Sequence, residues 1–346
     1  MATIRYINEQ YTYLNRAMAL TGSGGKSARA VLDVMDQQGV SDFLKEWPTI
    51  PCSHALKHRV RRTTNRPATT HRNLYQGVTP NISKTQVVWE NVVLFEQKNV
   101  IDEDEFAGMD PADAKAERRL QVDGHIVALQ EDYVYSIFNE AKSSGSEYID
   151  GIAARLATLS YPGYTTTTLP YVFDGGGSGS DLCSMYVLEL GPRALYGLMP
   201  GAQTQEGKNL GVIYRNKGLE HKGDSDDTTK EFYAYVDQFK LWAGVGCADD
   251  RKIIRIANIE SDVASDYSFN ENKLIEALAF GHFDKRSTRI YVGPRLYTQL
   301  CIKAKDKMNQ SLDWDMLFGQ KVLTIWGLPV RVLDQTILGE SESAIT

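Results

Sequence analysis

Four constellations in this chain of 346 residues carry residue types suited to chemistry. The run Thr21-Gly-Ser-Gly-Gly-Lys-Ser27 ends in the Lys-Ser with which a phosphate-cradling loop reaches phosphate and magnesium. That loop needs a glycine five positions before Gly25, where Leu20 stands, and no strand precedes it, so a flexible arm is the better account. Asp174-Gly-Gly-Gly-Ser-Gly-Ser180 approaches a dinucleotide fingerprint, whose glycines open a helix that holds the pyrophosphate. Here Leu182–Leu190 reads as a strand, which favours a hinge or hairpin loop. His54 and His58 have the spacing of a zinc-binding helix pair. Ala55 occupies the place of the general-base glutamate and no third ligand is evident, so they read as solvated or interface histidines. Asp224, Asp226 and Asp227 suggest a calcium loop, but Thr229 and Tyr235 stand where glycine and glutamate are required. No catalytic, cofactor-binding or metal-ligating set is predicted, and none of the six histidines sits in an acid–base or nucleophile arrangement.

Charge patterning is more informative. Lys57, Arg59, Arg61, Arg62, Arg66 and Arg72 form a basic arm with no acid between them. The strand-prone segment Gln86–Glu96 then leads to the acidic cluster Asp102, Glu103, Asp104 and Glu105. Solvated charge and non-specific phosphate contact are the rival readings of the arm. Pairing of the arm with the acidic cluster of a second subunit accounts for both clusters together. One exposed pair contributes only about 0–1 kcal/mol, so repetition over many copies must carry the effect. On this reading, replacing Arg61 and Arg62 together by Glu blocks assembly and leaves the monomer folded.

The elements that position these charges follow from pattern. Pro48 and Pro51 break the chain before the arm. Lys57–Asn73 and Thr85–Glu103 are predicted as two extended strands of a ribbon reaching roughly 60 Å. The middle of that ribbon is the turn-rich segment Gln76–Ser83. Asp110, Pro111 and Asp113 mark a helix start. Leu120, Val127, Val134 and Ala141 recur seven apart along a rod predicted over 111–141. A helix is expected from Ala28 to Gln38, stopped by Gly39. Beyond Thr165, strands (Leu182–Leu190, Leu210–Tyr214, Glu231–Trp242, Ile253–Ala257, Arg289–Val292) mix with helices at Asn272–Phe280 and Arg295–Met308. A hairpin at Lys321–Leu333 follows. The fold class predicted is α+β, without regular βαβ alternation.

At 42% hydrophobic and 24% charged, this is an ordinary globular composition. The net charge of −6 disfavours a general nucleic-acid binder. No apolar run approaches the roughly 18 residues of a spanning helix, and no secretory pattern opens the chain. The four cysteines are far apart and are expected reduced and mostly buried.

Arg62-Thr-Thr-Asn-Arg-Pro67, Leu74-Tyr-Gln-Gly-Val-Thr-Pro80 and Ser83-Lys-Thr85 resemble the arm segment of major capsid proteins from short-tailed phages of the epsilon-15 kind. The stretches Met185–Pro200, Arg251–Ile259 and Gly327–Arg331 leading to Asp334 are similar too, so the resemblance runs from about residue 55 to 338. It implies the Hong Kong 97-type capsid fold. The domains expected on that pattern are an N-terminal arm (1–55), an extended loop (56–108), a peripheral domain (109–164 and 313–346) with the spine helix, and an axial domain (165–312). Some relatives cross-link a Lys to an Asn. Lys84 and Lys98 lie in the loop, but no partner Asn is identified and no cross-link is predicted.

The resemblance implies a structural subunit and not an enzyme, without cofactor. Its expected partners are itself, in hexamers and pentamers, with a portal, a separate scaffold chain, a decoration protein and packaged double-stranded DNA, and no membrane. Assembly in the host cytoplasm and location in the virion follow. The alternative is an encapsulin-type shell around cargo enzymes. The predicted intersubunit residues are Lys57, Arg59, Arg61, Arg62, Arg66 and the four acids at 102–105.

Overall fold

A computed structural model describes residues 37–106, 108–145, 147–159, 171–200, 212–223, 231–262, 267–281, 283–305, 312–317 and 320–345. The Thr21–Ser27 segment, most of the helix expected at Ala28–Gln38, the Asp224–Asp227 tip and the end of the helix expected to reach Met308 lie outside these residues.

Gly39 precedes and caps the first described helix. Its φ of 83° suits glycine, and a Cβ there would strike the carbonyl oxygen of Val332. Helix α1 (Val40–Glu46) buries Val40 and Phe43. Phe43 is the centre of an aromatic cluster, 5.1 Å from Trp47, 5.6 Å from Phe138 and 5.3 Å from Tyr291 between ring centroids. The spine, α2, runs Pro111–Asn139, two residues shorter than expected at its C-terminus. At 1.5 Å per residue its 29 residues make a rod of about 44 Å. Its burial is uneven. Leu129, Val134, Ile137 and Phe138 are fully buried, whereas Leu120 is 40% exposed.

Two mixed sheets carry the rest. The first contains β1 (Thr49–Pro51), β2 (Lys57–Asn65), β3 (Lys84–Asp102), β6 (Leu195–Met199) and β8 (Glu231–Cys247) in the order β1-β6-β8-β3-β2, with β7 (Val212–Gly223) also paired to β8. The second contains β4 (Val172–Asp174), β5 (Leu182–Glu189), β9 (Ile253–Glu260), β10 (Thr288–Val292), β11 (Leu312–Leu317), β12 (Gln320–Ile325) and β13 (Leu328–Val332), ordered β11-β12-β13-β10-β5-β9-β4. β5 is buried along its whole length, and its core face shares a cluster with α4 (Glu271–Phe280) and α5 (Pro294–Ala304) through Met185, Val187, Leu274, Leu296 and Leu300. The terminal hairpin, expected to return to the peripheral part, pairs in parallel with β10, Val330 opposite Ile290. Its apolar Val330, Leu328 and Ile325 complete that core.

The chain divides into two compact units. In one, Glu96–Leu129 packs with Ile213–Lys240; the other holds Gln37–Phe95, Gln130–Val212 and Leu241–Thr346. Within the smaller unit Arg118 grips the fully buried Asp237 with two hydrogen bonds, Nε–Oδ2 3.1 Å and Nη2–Oδ1 2.9 Å. Tyr214 donates to the same carboxylate at 2.8 Å, and the ring of His125 stacks on Phe239. The four cysteines are unpaired, three of them buried; burial pushes the Cys52 thiol to about 11 and Cys247 to about 12.

Candidate intersubunit surface

The ribbon anticipated from residues 57 to 103 exists, but its arms are unequal. β2 has 9 residues and β3 has 19. Only Lys84–Asn91 of β3 pairs with β2, Lys57 facing Asn91 and Asn65 facing Lys84, with a register shift between Thr63 and Asn65. The second half of β3 is drawn into the sheet because its side chains are apolar: Val92, Val93, Phe95 and Ile101 are buried. Gly244 of β8 permits close approach there, since a Cβ would meet the carbonyl oxygen of Asn91. Residues 66–83 link the two strands without regular structure, and Pro67 and Pro80 lack the donor that a ladder requires. In that segment Leu74 (85% exposed), Tyr75 (102%) and Ile82 (85%) stand in solvent. A turn holds Leu74 and Tyr75 at its corners: Gln76 N–H donates to the Asn73 carbonyl, and Arg72 donates to the Gln76 carbonyl at 2.9 Å. Tyr75 takes a φ of 69°, a conformation costly for a non-glycine residue.

Strand parity sorts the basic arm. Lys57, Arg59 and Arg61 share one face of β2 and are exposed; His58, Val60 and Arg62 share the other. Arg62, expected on the intersubunit face, is tied inside the chain instead. Its Nη1 lies 2.5 Å from Asp250 Oδ2 and its Nη2 donates to the Cys247 carbonyl at 2.6 Å. Arg61 remains outward, its Nε donating to Thr85 Oγ1 at 3.3 Å, and Arg66 is exposed just after the strand. His58, half-buried, accepts the Ser53 N–H on Nδ1, while His54 lies edge-on to Trp89. Desolvation holds the His58 ring below its ordinary 6.5, against the opposing pull of Glu90.

Behind the arm is a buried clamp. Glu90 of β3, only 5% exposed, receives both ends of the Arg155 guanidinium at 2.8 Å each. Arg155 lies on the short helix α3 (Ile152–Arg155) and also donates to the Asp150 carbonyl. Burial works against its charge, but the Glu90 carboxylate more than offsets this and keeps the guanidinium protonated. Sequence spacing offered no sign of this pair, whose members are 65 residues apart. The charged run Asp249-Asp250-Arg251, interrupting two strand-prone stretches, was the available signal for Arg62's partner.

The acidic cluster closes β3. Asp102 Oδ1 accepts the Asp104 N–H at 3.1 Å and so starts a single 3-10 turn at Glu103–Phe106. Asp102, Glu103 and Asp104 are exposed and Glu105 is half-buried. The hairpin of β2 and the first half of β3 thus offers a basic face and an apolar tip, and the acidic turn follows the end of β3.

The profile of the major capsid protein GP7 family matches residues 23–346. The capsid structure of bacteriophage Epsilon15 superposes with a TM-score of 0.69 at 18% identity, over 98% of this chain and 99% of that one. The bacteriophage JBD30 capsid gives a TM-score of 0.50 at 12% identity, covering 88% and 92%. An encapsulin from Synechococcus elongatus reaches only 0.43 at 9% identity, too distant to argue for a cargo shell. No curated relative matches the chain in sequence. The helix-and-mixed-sheet architecture is the Hong Kong 97-type fold that the sequence resemblance implied. A hairpin built to project, on a fold shared with phage shells and under a profile spanning 23–346, has one consistent reading: the chain belongs to the major capsid protein GP7 family.

Proposed function

We propose that many copies of this chain form hexamers and pentamers that close an icosahedral shell around packaged double-stranded DNA. The observation that carries this reading is the hairpin, whose apolar tip and single-sign face have no partner on their own chain among the described residues to cover them. A two-stranded projection is marginal in water and gains stability by lying on a neighbour. The role is geometric: the extended loop crosses to an adjacent copy, the spine resists bending, and the β5-centred domain packs around the local symmetry axis. Heterologous contacts repeated under closed symmetry turn one such surface into a shell.

On this reading residues 1–55 act as the arm, 56–108 as the extended loop, 109–164 with 313–346 as the peripheral part and 165–312 as the axial part, with the terminal hairpin joining the two through its pairing with β10. Lys57, Arg59, Arg61 and Arg66 with Asp102, Glu103 and Asp104 supply part of the intersubunit contact; Arg62 and Glu105 support them from within. The remaining partners are a portal, a separate scaffold chain and a decoration protein, and the role is structural, with no catalysis. No described helix is long and apolar enough to cross a membrane.

Negative-stain electron microscopy of the purified chain, alone and co-expressed with its genomic neighbours, tests this. Uniform icosahedral particles or regular rings are expected. A monodisperse monomer under both conditions would overturn the assembly reading.

A further inference from the structure

At the root of the hairpin a cavity of about 620 Å³ opens between β2 and the loop after β8. Its lining residues include four arginines and two aspartates: Arg61, Arg62, Arg66 and Arg251, with Asp249 and Asp250. Half of this charge is already matched. Arg62 is paired with Asp250, and Arg251 holds Asp249 through Nε at 2.8 Å and Nη2 at 2.6 Å. Burial alone would raise the Asp249 carboxyl, but the Arg251 contacts outweigh it and keep the group below its ordinary value. Arg61 and Arg66 have no carboxylate partner among the described residues, so the residues around the cavity carry an excess of two positive charges.

We propose that this cavity is a carboxylate receptor, and that its occupant is the Asp102–Glu105 turn of a second copy. The inference rests on the shell reading and names the contact within it. Two features favour a carboxylate segment over a nucleic-acid strand. The site is a bounded pocket and not a continuous basic track. The chain's net charge of −6 also opposes general phosphate binding. The occupant has complementary form: a single 3-10 turn placing exposed Asp102, Glu103 and Asp104 in succession, preorganised by the Asp102 cap. Arginine forks match two such carboxylates with paired hydrogen bonds. Arg62 and Arg251 are positioning residues, stiffening the wall against which Arg61 and Arg66 act.

A charge-swap experiment on the full chain tests this. Arg61→Glu with Arg66→Glu, and separately Glu103→Arg with Asp104→Arg, are each expected to cut the assembled fraction about tenfold or more, and to leave the urea midpoint of the free subunit unchanged. Combining all four substitutions should restore assembly to near the parent level. Arg61→Gln with Arg66→Gln gives a milder variant with the same sign should the glutamate version misfold. Assembly of either reversed variant at the parent level overturns the proposal, as does failure of the combined variant to regain shells. Shells that form normally but hold less DNA when Arg61 and Arg66 are replaced would assign the cavity to nucleic acid and also overturn it. If the parent chain itself forms no shells, the shell reading fails first, a result distinct from all of these.

Discussion

Glu90→Gln should weaken the hairpin root far more than its single lost charge suggests. The carboxylate accepts two parallel bonds of 2.8 Å from Arg155, with side-chain exposures of 7% for Glu90 and 13% for Arg155. Hydrogen bonds to charged groups are worth about 1.5–3 kcal/mol each in net terms. A unit pair about 4 Å apart attracts by roughly 4 kcal/mol at the effective dielectric of a partly buried site. Removing one member leaves the other charged and buried. Here Arg155 would keep only the Asp150 carbonyl and a carboxylate oxygen 3.7 Å away. The expected loss is about 3–5 kcal/mol for Glu90→Ala and roughly half that for the amide, which retains one acceptor. Replacing both members by apolar residues, Glu90→Leu with Arg155→Met, should recover most of the loss, because the orphaned charge is gone. Urea unfolding of the unassembled subunit, followed by tryptophan fluorescence, measures it, and the adjacent Trp89 reports on the root. Salt should change the loss little, since buried pairs are weakly screened. A loss below about 1 kcal/mol for Glu90→Ala, the level of a surface pair, refutes the reasoning. A double variant as unstable as the single one refutes it too.

Three further outcomes follow from the same geometry. The unfolded chain protonates His58 at its ordinary 6.5, while the folded ring resists, so the unfolded state binds more protons below that pH. Stability therefore falls as pH drops from about 6.5 toward the depressed folded value, and is fully present above it. His58→Gln, which still accepts the Ser53 N–H, should flatten that part of the urea-midpoint profile; an unchanged slope counts against the assignment. Arg118→Met strands the Asp237 carboxylate with Tyr214 as its remaining close donor, for an expected cost of about 3–5 kcal/mol, read by protection of β8 amides in hydrogen exchange. Equal protection in parent and variant would count against it. Gly244→Ala forces a Cβ against the Asn91 carbonyl, costing about 1–3 kcal/mol; a neutral result would mean that β3 and β8 are not held at this spacing.

Much of the scaffold was legible along the chain. Asp110-Pro111 and the seven-residue apolar period place the spine within two residues of its observed C-terminus, and the β-prone Gln86–Glu96 run marks the centre of β3. These signals are local: capping, helical periodicity and strand alternation depend on neighbours a few residues away. Segregation of basic and acidic clusters was equally visible, since net sign is a property of composition. What tertiary structure alone decided was the partner of each group. Strand parity could have separated Arg61 from Arg62, but only Asp250, 188 residues away, draws Arg62 inward and leaves Arg61 free. A carboxylate introduced in place of Arg62 would face Asp250, so Arg61 with Arg66 probes the outer surface without disturbing that internal contact. The second half of β3 carries apolar Val92, Val93, Phe95 and Ile101, but which strand buries them was decided by β8, whose Gly244 lets the two backbones approach. Sequence determined which segments are strand, helix and charged surface; long-range packing determined which charges are spent inside the chain and which are left for another copy.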